Sequence, residues 1–191
     1  MRLSAAIFKQ GFLGLVLVTA MCGCKTKQAV TKFKMPAAPL AIGKPIYVSV
    51  PETKGKDEER TYQGSDTQTA TAVAGAFKNY GTVTLGREPE AQEKALGSAT
   101  AAQCVYLVKP TIRIWEDNPT EWNGEPDELE VELEVFDVAG KESLARASLK
   151  GKSKLATVLG DKPEDMLAGF FEPFAAELFG DKDFGQKKKK K

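Results

Sequence analysis

The sequence predicts an α/β (α+β) single domain, a mixed β-sheet with helices packed on it, in the element order β-α-β-α-β-β-β-α. Short β-rich runs alternate with apolar residues at helical spacing through the first half of the chain. A strict period-two run from Glu128 to Val135 is followed, across a turn centred on Gly140, by a second alternating run. The stretch from about residue 44 to residue 180 is long enough to bury one core and too short for two.

Pro45-Ile46-Tyr47-Val48-Ser49-Val50 is β-rich and stopped by Pro51, which makes it the first strand. Residues 52–64 are polar, with the cluster Lys56-Asp57-Glu58-Glu59-Arg60, and read as loop. Ser65 to Gln68 matches a capping box, and Ala70, Val73, Ala74, Phe77 and Tyr80 recur at helical spacing, so the first helix runs to about Asn79 with Gly81 as its stop. Thr82 to Leu85 is a second strand, and Glu88 to Leu96 a second helix ended by Gly97. The third strand starts near Gln103 and is apolar on both faces at first, as a central strand is. Pro110 removes a ladder donor, so there the strand must reach an edge, bulge or bend before it resumes as Thr111-Ile112-Arg113-Ile114-Trp115.

In the fourth strand Leu129, Val131, Leu133 and Val135 alternate with Glu128, Glu130, Glu132 and Glu134. The fifth, from about Ser143 to Ser153, sends Ala145, Ala147 and Leu149 to one face and Arg146, Ser148, Lys150 and Lys152 to the other. A turn at Gly140 sets Glu134 opposite Arg146, Glu130 opposite Lys150 and Glu128 opposite Lys152, each pair contributing about 0.2–1 kcal/mol. The glutamate row thus reads as a charge-paired sheet face rather than a calcium site. Asp161-x-x-Glu164 can cap a last helix whose Met166, Leu167, Phe170, Phe171, Phe174 and Leu178 form an apolar stripe, with Pro173 predicting a kink. Strands linked by helices should pair in parallel, and the later hairpin antiparallel.

Ahead of this domain, Arg2 and Lys9 precede an apolar run from Gly11 to Met21 that ends in small residues and a cysteine. That is the pattern of a bacterial lipoprotein signal, residues 1–23, too short to span a bilayer in the usual way. Gly23 before Cys24 suits processing better than bulky Met21 before Cys22, so lipid is expected on Cys24, with Cys22 as the alternative. Lys25 rather than Asp follows, which favours the outer membrane, periplasmic face; the inner membrane or cell surface are the alternatives. Residues 24–43, rich in Lys, Ala and Pro, read as a flexible tether able to hold the domain on the order of 50 Å from the membrane. Residues 181–191 end in Lys187 to Lys191 and read as a disordered tail.

A net charge of +1 hides segregation: all 26 acidic residues lie between Met35 and Gln186, a stretch holding 16 of the 27 basic ones, so the body is net negative by ten between two basic ends. Basic segments beside a lipid anchor favour anionic surfaces. Nucleic acid is not an expected partner in that compartment. There is no histidine, which excludes histidine-based triads and histidine-ligated zinc. With signal removed and Cys24 acylated, Cys104 is left alone and reads as a small buried hydrophobe. No catalytic residue, metal site or cofactor is assigned.

The connection from Ile114 to Asp127 is the one segment that looks like a site: Trp115, Glu116, Asp117, Glu121 and Trp122 fall there together with Pro119 and Pro126. Such a surface could stack a sugar on tryptophan while acids take its hydroxyls, bind a cation with Glu116, Asp117 and Glu121, or dock a basic partner, although the spacing lacks the EF-hand pattern of a calcium loop. The competing reading is that both rings clamp the hairpin and cap the core. Glu116 and Glu121 could serve as a glycosidase pair only if held a few ångströms apart in a cleft.

The stretch Trp115-Glu116-Asp117-x-x-Thr120-Glu121-Trp122-x-Gly124-x-Pro126-Asp127, with Val48-Ser49-Val50-Pro51, the Ser65 helix, Asp137, Gly140, Lys152-Ser153 and the Pro163 helix, resembles a family of small Gram-negative lipoproteins classified only as a domain of unknown function. Asn118-Pro119 and the lysine tail depart from that pattern. The resemblance implies a lipoprotein and its fold and carries no catalytic residue. The element order is more distantly similar to periplasmic α/β domains of curli-secretion-type lipoproteins. The leading expectation is a non-enzymatic binding or assembly-accessory domain that meets an envelope protein or glycan. A carboxylate-based glycan hydrolase and a structural subunit of an envelope oligomer are the alternatives.

Overall fold

A computed structural model describes residues 27–52, 62–117, 126–153 and 162–184. These form one mixed six-stranded sheet of β1 (Lys27–Lys34), β2 (Ile46–Val50), β3 (Val83–Pro89), β4 (Tyr106–Glu116), β5 (Glu128–Asp137) and β6 (Glu142–Lys152), in the order β1-β6-β5-β4-β2-β3. Three helices accompany it: α1 (Ser65–Phe77), α2 (Gln92–Ala101) and α3 (Pro163–Leu178).

The strands joined through helices pair in parallel, β2 with β3 and with β4, because a crossover helix returns the chain to the same end of the sheet. The rest of the sheet, β4-β5-β6-β1, is antiparallel. The β2–β4 pairing stops at Val48 and Val108, so Pro110 comes where β4 has only β5 beside it. That is the edge its missing donor demands.

Both faces of the sheet are used, unequally. On one, α1 and α3 bring Val73, Phe77, Phe170, Phe171 and Phe174 onto Leu129, Val131, Leu133, Val135, Ala145, Ala147 and Leu149. Each fully buried aromatic or aliphatic side chain there stabilises the fold by about 1.5–3 kcal/mol. Gly151 lets α3 come close: a Cβ in its place would lie 2.6 Å from Met166 Sδ and 3.0 Å from the Phe170 ring. On the other face α2 covers only one end, packing Ala95, Leu96 and Ala99 on Tyr47, Leu107 and Phe136. Cys104 is buried in that smaller cluster, a free thiol.

The structure adds a strand. Residues 27–34, expected as the start of a flexible tether, form β1 and pair antiparallel with β6 from Lys27↔Lys152 to Lys34↔Arg146. Lysines at 27, 32 and 34 mask the strand in the sequence, because edge strands carry charge to discourage further pairing and their ladder comes from backbone groups that composition does not reveal. The proline segment after it is a strap rather than a spacer. Leu40 N–H donates to Leu178 O, Ala41 N–H to the Tyr106 hydroxyl and Gly43 N–H to Tyr80 O. The ordered domain therefore begins before residue 44.

Helix ends differ from expectation as well. α1 is preceded by Gly64 at φ 88°, and the buried Ser65 hydroxyl has no hydrogen-bond partner among the described residues, so it does not cap the helix as the expected capping box requires. α2 lies four to five residues later than expected and contains Gly97, whose would-be Cβ faces open space, while β3 extends to Pro89. At the start of α3, Asp165 accepts the Lys162 N–H at 3.2 Å, and Pro163 occupies the first turn, where a missing donor costs nothing. Asp161 lies outside the described residues. The helix continues through Pro173.

Candidate functional site

The β4–β5 connection is built from both ends inward. A register shift between Ile112 and Ile114 turns Trp115 to the core side, opposite Leu129. Trp115 is 3% exposed and belongs to the main core cluster, so its ring faces are covered by protein. Glu116, opposite Glu128, is also buried and accepts the Tyr62 hydroxyl at 3.1 Å. Asp117 is exposed. On the return side, Asp127 N–H donates to Ser153 Oγ at 2.8 Å and Ser153 N–H donates to Asp127 O at 2.9 Å, tying the start of β5 to the end of β6. Glu121 and Trp122 lie outside the described residues, as do Cys22, Cys24 and the lysine tail.

Of the three candidates that are described, Trp115 and Glu116 are buried and Asp117 is exposed, so these three do not form one exposed surface. Trp115 offers no free ring for a sugar to stack on, and Glu116 faces protein rather than a cleft. Asp117 remains open to solvent. Among the described residues no cluster of acidic or cysteine side chains has the geometry to hold a metal ion.

The larger feature is the part of the α2-side sheet face which α2 does not cover and which no other described helix covers. Glu132 binds two arginines, Arg113 Nη2 at 2.9 Å from β4 and Arg146 Nε from β6. Burial pushes the Glu132 carboxyl up, but the hydrogen bonds and charges of Arg146 and Arg113 outweigh it and hold the group below its ordinary value. Beside it Glu130 accepts Ser148 Oγ at 2.8 Å and pairs with Lys150 at 3.0 Å, and Glu128 pairs with Lys152 at 2.5 Å. At the β1 side the Arg146 guanidinium lies 5.7 Å from the centroid of the exposed Phe33 ring.

Between these pairs is a groove of about 330 Å³ formed by Ala29, Ile114, Glu128, Glu130, Lys150 and Lys152. Its wall on one side is β1, so the groove is invisible without that strand. The signal that could have found it was the lysine spacing of 27–34, a mark of edge strands. The role of Arg113 was hidden for a related reason, since its pairing depends on which strand lies next to β5.

The family model described as Domain of unknown function (DUF4823) matches residues 38–178. No curated protein matches. Among solved structures, the chain is similar to the PelC dodecamer from Paraburkholderia phytofirmans at 14% identity, over 80% of this chain and 98% of that one, with a TM-score of 0.61. A point-substituted PelC dodecamer from the same organism is similar at 12% identity, over 80% and 99%, with a TM-score of 0.58. Lipoprotein GNA1162 from Neisseria meningitidis is similar at 12% identity, over 56% and 83%, with a TM-score of 0.41. For the two PelC structures, at these identities, the likeness is one of fold.

Proposed function

The chain belongs to the DUF4823 family of unknown function, and from that premise we propose that it is a lipid-anchored, periplasm-facing domain of the outer membrane that binds or helps assemble other envelope components and performs no catalysis. The observation that carries this reading is the charge-paired face of β4, β5 and β6. Carboxylates there are held in place by bases on the flanking strands, beside a groove with Ile114 and Ala29 in its walls. Such a face is rigid and polar, with a small apolar patch, a combination suited to docking a protein or glycan. The export signal read at residues 1–23 supports the address, and among the described residues no helix is long and apolar enough to cross a membrane.

The test is site-specific photo-crosslinking in the intact envelope with the probe at Ile114, compared with a probe at Lys78 away from this face. A product specific to Ile114 that disappears on Lys150→Glu is expected. Identical products from both positions would overturn the binding face.

A second reading, a subunit of an envelope oligomer, is favoured by the likeness to a protein that forms a dodecamer and whose chain is covered over 98% of its length. Among the described residues β1 and β3 end the sheet, each with a partner strand on one side, which supplies edges for such contacts. Light scattering of the full-length lipoprotein in detergent decides it: an oligomer that persists on dilution is expected, and a monomer at high concentration rejects it.

A further inference from the structure

β1 begins at Lys27, three residues after the expected lipid site, and is locked into the sheet from there on. Three residues reach at most about 10 Å even when fully extended. The domain therefore has no long spacer between it and a lipid on Cys24, and a lipid on Cys22 would add only about 7 Å. Nor can β1 peel away freely. Its ladder runs along β6 to Arg146, Lys32 is 2.5 Å from Glu177 of α3, and Lys34 Nζ donates to the Ser143 carbonyl.

β1 and β6 themselves carry Lys27, Lys32, Lys34, Arg146, Lys150 and Lys152 against the single acid Glu142. Lys32, Arg146, Lys150 and Lys152 pair with glutamates of α3 and β5, yet their side chains stay 39–58% exposed and so remain accessible to anions from outside. Two of the few large apolar side chains exposed among the described residues also lie on β1: Phe33, 61% exposed, and Val30, 44% exposed. Bases with an exposed aromatic and an aliphatic residue make up the composition of a segment that rests at a headgroup boundary, where the bases meet phosphates and the apolar groups meet the upper acyl region.

We propose that the β1 edge of the sheet is a membrane-docking edge, which lays the domain directly on an anionic bilayer surface with Phe33 and Val30 at headgroup level. The proposal rests on the lipid anchor of the preceding reading. It gives the acidic remainder of the body an orientation, facing away from the lipid toward the periplasm.

The test uses the full-length lipoprotein with Cys104→Ala, reconstituted into vesicles of phosphatidylethanolamine and phosphatidylglycerol. An environment-sensitive label is placed at Thr31→Cys on β1 or at Lys78→Cys beyond α1, on the far side of the sheet. The Thr31 label should be quenched by spin-labelled lipid and shielded several-fold from aqueous iodide, while the Lys78 label should show neither effect. Adding Phe33→Glu, at an exposed position that leaves the core intact, should remove most of that shielding, and high salt should weaken it. Equal responses at Thr31 and Lys78, or no effect of Phe33→Glu, would overturn the proposal. Shielding at Thr31 without lipid quenching, accompanied by energy transfer between labelled copies, would overturn it in favour of a second copy on this edge. Intact mass separates the premises: protein without lipid on Cys24 or Cys22 overturns the anchor and the docking edge together, whereas lipidated protein with an unshielded Thr31 overturns the docking edge alone.

Discussion

Arg146 stands directly across from Glu134 in the β5–β6 register, yet its guanidinium bonds Glu132, one position along the same face. Strand twist and the reach of a long side chain allow a diagonal partner, and Glu132 is already fixed by Arg113 from the other side. Two bases on one carboxylate make Glu132 the electrostatic centre of the charge-paired face.

That geometry predicts an acid limb in stability. The folded-state pKa of Glu132 is lowered, so its contribution is present above the unfolded carboxylate value and is lost as pH falls through the lower folded value. Both arginines are about half exposed, which limits the effect to about 1 kcal/mol. Urea unfolding of Glu132→Gln should show that loss at neutral pH and a shallower decline below about pH 4.5 than the parent. Parallel pH profiles for the two proteins would contradict it.

Tyr80 predicts an alkaline limb of the opposite sign. Burial first, then its hydrogen bond to Asp181, raise its pKa to about 12. Its contribution is present below the ordinary value near 10 and disappears as pH rises through about 12. Tyr80 also stacks on Phe179, with centroids 4.7 Å apart and planes 3° from parallel. In ultraviolet titration one tyrosine should resist ionisation until near that upper value, and Tyr80→Phe should abolish this late step. Phe179→Ala, which also opens a hole in the core, should cost about 3–5 kcal/mol in denaturant unfolding.

Gly151→Ala should destabilise by about 1–3 kcal/mol, because the new methyl meets Met166 and Phe170 and α3 or its side chains must shift. Pairing it with Met166→Ala, which clears the closest contact, should recover part of that loss. Additive losses in a double-mutant cycle would show that the clash is elsewhere.

Removing β1 should do more than shorten a linker. A chain beginning at Met35 loses the β6 ladder and the Lys32–Glu177 pair. Melting about 4–8 °C lower, equivalent to about 2 kcal/mol, is the expected result. Amide exchange should accelerate in β6 more than in β2, and unchanged β6 protection would return residues 27–34 to the status of a tether.

The elements that declare themselves in sequence are those whose local pattern and tertiary role agree. β5 alternates from Glu128 to Val135 because one face is core and the other carries the charge pairs, breaking only at Val135–Phe136 where the register shifts, and the Gly140 turn fixes its pairing with β6, including Glu130↔Lys150 and Glu128↔Lys152. α3 is legible for the same reason, through its phenylalanine stripe. β1 was not, because the strand it pairs with lies more than a hundred residues away in the chain. Gly97 looked like a helix stop but sits on an exposed helical face, where its cost is only about 1 kcal/mol and the packing of Ala95, Leu96 and Ala99 prevails.

Trp115 marks the boundary at the site. Its neighbours Glu116 and Asp117 gave a composition that suits a binding surface equally well with the ring in or out, and only the register shift after Ile112 turns the ring into the core. Sequence by itself determined the fold class, the β5–β6 register and the chemistry that a histidine-free chain excludes, because periodicity, turn residues and residue inventory are local properties. Tertiary structure decided that the lysine-rich start is an edge strand, that Trp115 and Glu116 are buried, and that Arg113 and Arg146 converge on Glu132. Each of these depends on which distant strand lies alongside, and no local pattern records that.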